Sequence, residues 1–270
     1  VSPQKSTAPY AGPPAWLDAA TELPLPRESG YTRERFVVEC MAALLARGCT
    51  PRQAAEVTAN ASGEASHGRA VWHGNAGGWK ITKAYADGYR AAHSGQCPPW
   101  WKARGNVASA DSAWCFYRAF PSLSAFLGEW LTHFVPRPDA VALYPAYKAT
   151  GARFWSGDDR WFGDLILVGY KGAPSKRRMQ GLRASGTRDS EHPSVAAHRA
   201  TVREVLEWWA QHVLGGLVVD GAWGPASQAR CREVQAANGL PPTGQLDAAT
   251  LDVVASIAAV FQDADGRVRA

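Results

Sequence analysis

Apolar periodicity limits this chain's architecture more than any other feature. From Pro121 to Phe134, the residues Leu123, Phe126, Leu127, Trp130, Leu131 and Phe134 recur at steps of three and four. Wound as an α-helix, such a segment carries one apolar stripe; as a strand it would scatter the same groups over both faces, so it must form a helix and bury the stripe against other helices. The pattern returns from Thr32 to Ala46, where Phe36, Val37, Cys40, Met41, Leu44 and Leu45 share a broad face and Gly48 ends the helix. Thr50-Pro51-Arg52-Gln53 opens the next helix. Thr50 caps it, Pro51 fits the first helical position and Gln53 completes a capping box, with the helix fading near Ser62-Gly63. Further helices are expected over Pro138–Thr150, Asp158–Gly169, Val195–Leu214, Ala226–Asn238 and Ala248–Phe261. The fold class is therefore mainly α, with a minor β part.

That β part is expected between Gly74 and Phe120. Gly, Asn and aromatic residues dominate there, around short β-like runs at Trp79–Thr82 and Trp114–Tyr117. Residues 1–30 read as an extended tail, because Pro13-Pro14, Pro24 and Pro26 discourage helix. Lys171 to Ser194 is rich in Gly, Pro and Ser and sets six basic residues against Asp189 and Glu191, which reads as a solvated linker. The resulting division is a tail (1–30), a first domain (31–172), a basic linker (173–194), a three-helix domain (195–263) and a short C-terminal tail (264–270).

The net charge of +5 suits an anionic polymer, but no nucleic-acid-binding motif accompanies it, so no nucleic-acid partner is expected. No apolar run approaches a membrane span, and no basic-then-apolar leader opens the sequence. Five cysteines form no CxxC pair, and only Cys97 with Cys115 is a candidate bridge. Nine of the 12 tryptophans precede position 165, and such rings serve either as core or as flat platforms for sugar rings.

The two connections in the last domain echo each other. Val219-Asp220-Gly221-Ala222-Trp223-Gly224-Pro225-Ala226-Ser227 is followed by Pro242-Thr243-Gly244-Gln245-Leu246-Asp247-Ala248-Ala249-Thr250, each with a Gly turn, an apolar plug and a polar cap. Together with Val234-Gln235-Ala236-Ala237-Asn238-Gly239-Leu240-Pro241, they closely resemble the type 1 peptidoglycan-binding domain. The resemblance implies non-catalytic attachment to bacterial peptidoglycan, with Asp220, Gly221, Trp223 and Gly224 as the motif residues. Gly221 and Gly224 are expected to permit turns, and Trp223 and Leu246 to fill core.

In the first domain the sharpest candidate is Glu64, at the end of a packed helix and before a Trp-rich stretch. Glycoside cleavage needs a carboxylic acid that donates to the departing oxygen, and removal of water favours its protonated form. The run Glu64-Ala65-Ser66-His67-Gly68-Arg69 is similar to the E-S-G-W-G stretch of glucosaminidases of glycoside hydrolase family 73, in the lysozyme-like superfamily. Asn75-Ala76-Gly77-Gly78-Trp79-Lys80 partly echoes that family's N-[FY]-[FGW]-G-[IW]-K element. Phe116-Tyr117-Arg118-Ala119-Phe120-Pro121-Ser122 resembles its F-R-x-Y-x-S strand end, and Gly169-Tyr170 the start of its G-Y-A-T-D-P. The resemblance implies a lysozyme-like fold with Glu64 as general acid and Tyr170 supporting the reacting sugar. The A-T-D-P part is missing, and no motif fixes the second carboxylate, for which Asp87 and Asp111 are the candidates. Trp79, Tyr85, Trp100, Trp101 and Tyr117 are candidates for stacking on sugar.

These readings combine into a monomeric peptidoglycan glycan-strand hydrolase needing no cofactor or metal. It would be an endo-β-N-acetylglucosaminidase, or else a muramidase or lytic transglycosylase, acting on the cell wall as a holin-released phage endolysin would. A zinc peptidase is the rival, since His67, His73, His93 and His133 are present, but no HExxH pattern organises them. A cysteine amidase using Cys97 or Cys115, and a non-catalytic wall-binding protein, complete the alternatives.

Overall fold

A computed structural model describes residues 12–24, 30–104, 114–140 and 144–260. These residues form ten α-helices and a single two-stranded sheet, so the mainly α class holds. Helix α1 (Arg33–Leu45) is capped by the Thr32 hydroxyl, and α2 (Pro51–Glu64) by the Thr50–Gln53 capping box. Helix α3 (Lys83–Ala92) precedes the antiparallel hairpin β1 (Trp100–Arg104) and β2 (Trp114–Arg118), in which Trp101 pairs with Tyr117. The amphipathic stripe is α4 (Leu123–Phe134), followed by α5 (Lys148–Ser156), α6 (Trp161–Leu167) and α7 (Gly172–Ala184). The last three are α8 (Pro193–Leu214), α9 (Pro225–Ala237) and α10 (Ala248–Val260).

Helix α2 is the central post. From Ala54 to Ser62 every side chain is buried, and the helix packs against α1, α8 and α10. Helix α8 lays Val195, Val202, Leu206 and Trp209 into the same core as Phe36, Phe126 and Trp161. Each such side chain contributes roughly 1.5–3 kcal/mol through burial. Polar ties at the rim reinforce the docking of α8: Arg33 to Glu204 at 2.5 Å, and His212 to Glu34 at 2.8 Å.

Four expectations are corrected. The segment read as a solvated linker is largely helical: α7 is anchored by buried Met179, and Arg183 pairs with Asp164 and Asp189, both at 2.6 Å. Arg183 thus anchors α7 to the first domain, while Arg177, Arg178 and Arg188 stay exposed. Part of the tail, from 12 to 24, is packed against β1, with Leu17 buried and the Leu23 N–H donating to Trp100 O at 2.7 Å. Within the expected β region lies α3, capped by Thr82, which places Tyr85 and Asp87 on a helix. Trp79–Thr82 contributes only a single bridge, Lys80 to Tyr117. Finally, the helix expected over 138–150 begins at Lys148, after a 3-10 turn opened by Pro145, whose missing N–H suits a first turn. Cys97 and Cys115 are unbridged.

Candidate active site and wall-binding module

The buried length of α2 delivers Glu64 to a defined place. Immediately after it the backbone reverses through three left-handed residues, Ser66, His67 and Gly68. Only glycine suits the last position, because a Cβ there would meet Phe36 Cβ at 2.8 Å. Glu64 is not shielded from water as expected: it stands at the rim, its side chain 41% exposed, with Lys171 Nζ 3.1 Å from its carboxylate. One helical turn earlier, buried Asn60 donates through Nδ2 to the Tyr170 hydroxyl at 2.7 Å. Burial, followed by the negative charge of Glu64, raises the Tyr170 pKa well above the usual phenol range, against the Asn60 hydrogen bond. Glu64 and Tyr170 therefore share one site although 106 positions separate them.

A strip of rings runs on from Tyr170. Its edge meets Phe134 at 5.0 Å between centroids, and Phe134 meets Trp79 at 5.7 Å and Tyr147 at 5.2 Å. Trp79 also touches His133 at 5.3 Å, and exposed Tyr144 lies 4.6 Å beyond His133. At the far end the Arg118 guanidinium lies 3.7 Å over the Tyr85 ring and 5.2 Å from Trp79. Glu129 approaches Arg118 at 3.5 Å, and burial pushes its carboxyl pKa up while Arg118 opposes the shift. Burial, aided by Arg118, also holds the His133 pKa below its ordinary value. Buried Asn75 fixes the strip: its Nδ2 donates to Trp79 O at 3.0 Å and Arg118 O at 2.9 Å, while its Oδ1 accepts from Trp79 N at 3.0 Å.

Of the sequence candidates, Glu64, Tyr170, Trp79 and Tyr85 fall along this strip. Trp100 and Trp101 are corrected: they are 0% and 3% exposed and belong to the core, which removes them as platforms for sugar. Tyr117 is stacked face-on by Trp101 at 4.3 Å, so that face is already occupied. Asp87 is bound on its own helix by Lys83 at 2.6 Å and Arg90 at 3.2 Å; the Lys83 hydrogen bond chiefly holds its pKa low, a poor match for proton transfer near neutrality. Asp111 lies outside the described residues. Asn60, Arg118, Glu129, Phe134, Tyr147 and Lys171 were not singled out as site residues. The spacing of Glu129 four residues before His133 placed both on one face of α4, which was the available signal.

In the C-terminal region the echoed connections are pinned by two buried glutamines. Gln211 Oε1 accepts from Asp220 N at 3.1 Å and Gly221 N at 2.8 Å, and its Nε2 donates to Ala222 O at 3.0 Å and Ser227 Oγ at 3.1 Å. Gln235 repeats the arrangement: Oε1 accepts from Gly244 N at 2.8 Å, and Nε2 donates to Gln245 O at 3.0 Å and Thr250 Oγ1 at 2.8 Å. Asp220 caps its turn by accepting from Ala222 N at 2.8 Å. Gly221 is left-handed at φ 74°, where a side chain would also strike Trp208. Gly224, at φ −85°, is instead the N-cap of α9 and needs no glycine-only conformation. The Trp223 indole packs against the core and donates to Gly244 O at 2.9 Å, locking one half-unit to the other.

Residues 200–254 match the family model of the peptidoglycan binding domain. Neither the curated proteins nor the solved structures gave a match to the chain. The chain thus carries a peptidoglycan-binding domain, associates with the cell wall and has peptidoglycan as its partner. Among the described residues, no helix is long and apolar enough to cross a membrane.

Proposed function

We propose that residues 31–172 form a lysozyme-like catalytic domain that cuts the glycan strand of the peptidoglycan held by the C-terminal module, most directly as an endo-β-N-acetylglucosaminidase of the endolysin type. The observation that carries this reading is the convergence of Glu64 and Tyr170 at the end of the partly exposed aromatic strip. Rings of this kind suit the C–H faces of successive sugars, while a carboxyl at the strip's end suits proton transfer. In this reading a bound sugar displaces Lys171 and covers Glu64. Glu64 then donates its proton to the glycosidic oxygen as the C1–O bond breaks, and Tyr170, oriented by Asn60, lies beside the reacting ring. The leaving oxygen keeps the C1–O pair, and C1 is bonded instead either by a water that gives its proton to a second carboxylate or by the carbonyl oxygen of the substrate's own acetamido group, which water later opens while returning a proton to Glu64.

One observation favours a second reading. Among the described residues, the polar neighbours of Glu64 are Lys171 and Tyr170 rather than a second carboxylate. A lone acid can serve a lytic transglycosylase, in which the sugar's own 6-hydroxyl attacks C1, its proton is taken by the same carboxylate, and an anhydro sugar forms. Mass spectrometry of digested peptidoglycan separates the two. Reducing N-acetylglucosamine ends support the glucosaminidase, anhydro-muramic ends the transglycosylase and reducing muramic ends a muramidase; an absence of soluble fragments sinks all three.

A further inference from the structure

We propose that Arg118 is the anion-recognising residue of this ring strip, taking a carboxylate carried by the bound peptidoglycan strand. The inference rests on the glycan-strand reading above and adds the group that would let the site select a wall strand over a neutral polysaccharide. Arg118 closes β2, and its backbone is held on both sides: its N–H donates to Trp79 O at 2.9 Å, and its carbonyl accepts from Asn75 Nδ2 at 2.9 Å and from the Trp101 indole at 3.2 Å. The side chain is only 16% exposed and is laid on the Tyr85 ring. A cation placed so deeply needs a close anionic partner. Glu129 supplies one only at 3.5 Å, the outer limit of a hydrogen bond, and it is itself 46% exposed. The buried Nε of Arg118 has no partner among the described residues. Burial accordingly pulls the Arg118 pKa below its ordinary value. The guanidinium is rigid, under-compensated and positioned at the end of the ring strip, where a planar carboxylate could accept two parallel N–H bonds in place of Glu129.

Two carboxylates of a wall strand have this chemistry: the lactyl group of a peptide-free muramic residue, and a free carboxyl of the stem peptide. The test uses the full chain carrying Glu64→Gln, so that strands survive, and titrates it calorimetrically with three probes. These are chitotetraose, which is neutral; a peptide-free tetrasaccharide of the strand; and the same tetrasaccharide with stem peptides, whose lactyl groups are amides. The wall-binding module is common to every variant, so differences caused by position 118 report on the ring strip. Arg118→Met is expected to weaken at least one carboxylate-bearing probe tenfold or more while leaving chitotetraose within twofold, and Arg118→Lys to fall between. A loss confined to the peptide-free probe assigns the lactyl carboxylate; a loss confined to the stem-bearing probe assigns the peptide. Equal loss on all three probes, or none, overturns the proposal, and thermal melts of Arg118→Lys separate equal loss from unfolding. Fragment release by the wild-type chain is a separate readout. Its absence overturns the hydrolase reading, while the contrast between charged and neutral probes is still read from the same titrations.

Discussion

His198 offers a quantitative test of how α8 is built into the molecule. Its imidazole is 9% exposed, stacked on Phe162 at 3.9 Å with 5° between planes and edge-on to Trp161 at 5.7 Å. Its Nε2 has no partner among the described residues. Burial first, then the cations Lys171, Arg52 and Arg199, lowers its pKa to about 3. In the unfolded chain the same group binds a proton near pH 6.5. Below that pH the unfolded state therefore holds more protons than the native state, and stability must fall as pH falls, through the window between 6.5 and 3. Between pH 7 and pH 5 the loss from this one group is about 2 kcal/mol, and any native value below about 4 gives the same figure. His198→Phe keeps the stacking and removes the titration. Urea unfolding of both proteins at pH 7 and pH 5 should show the wild type losing about 2 kcal/mol more than the variant. All other groups are common to both proteins, so their contributions cancel in the comparison. Equal losses would mean that His198 titrates as an exposed histidine. That is the behaviour expected of a helix tethered loosely to the first domain, and it would refute the packing described here.

Gln235→Leu should remove several buried hydrogen bonds at once and strand the Gly244 N–H, costing on the order of 3 kcal/mol. The variant's thermal melt and its co-sedimentation with cell walls are the readouts, and an unchanged melt would contradict the buried-glutamine account. Asp87→Asn should leave fragment release within about twofold, since an ion-paired surface carboxylate contributes little; a hundredfold loss would return Asp87 to the catalytic centre. Trp79→Ala should lower turnover of wall strands at least tenfold while the C-terminal module still sediments with walls, and full turnover would detach the ring strip from the substrate.

The helical frame was legible because it is written locally. The Thr50–Gln53 capping box, the α4 stripe and the glycine that ends α1 act over one or two turns, and the structure realises each. The wall-binding module was legible for a different reason: its turn residues recur in two spaced copies. What stayed hidden depends on distant partners. Gln211 and Gln235 look like ordinary polar helix residues until the facing turns are brought to them. Trp100 and Trp101 cannot be told from surface platforms without knowing that residues 12–24 and Tyr117 cover them. Arg183 reads as solvated because Asp164, one of its partners, lies 19 positions upstream. At the candidate site, Glu64 and Tyr170 were singled out through resemblance, whereas Asn60 and Arg118 are brought to the ring strip by geometry that only the folded chain supplies.

The most direct test of the account asks whether the carboxyl at position 64 drives strand cleavage. Purified peptidoglycan is incubated with equal amounts of the wild-type and Glu64→Gln chains, and soluble sugar fragments are quantified by mass spectrometry while wall sedimentation is followed in parallel. The account predicts fragments from the wild type, about a hundredfold or greater loss in the variant, and unchanged sedimentation of both. Undiminished release by Glu64→Gln, or no release by the wild type, would contradict it.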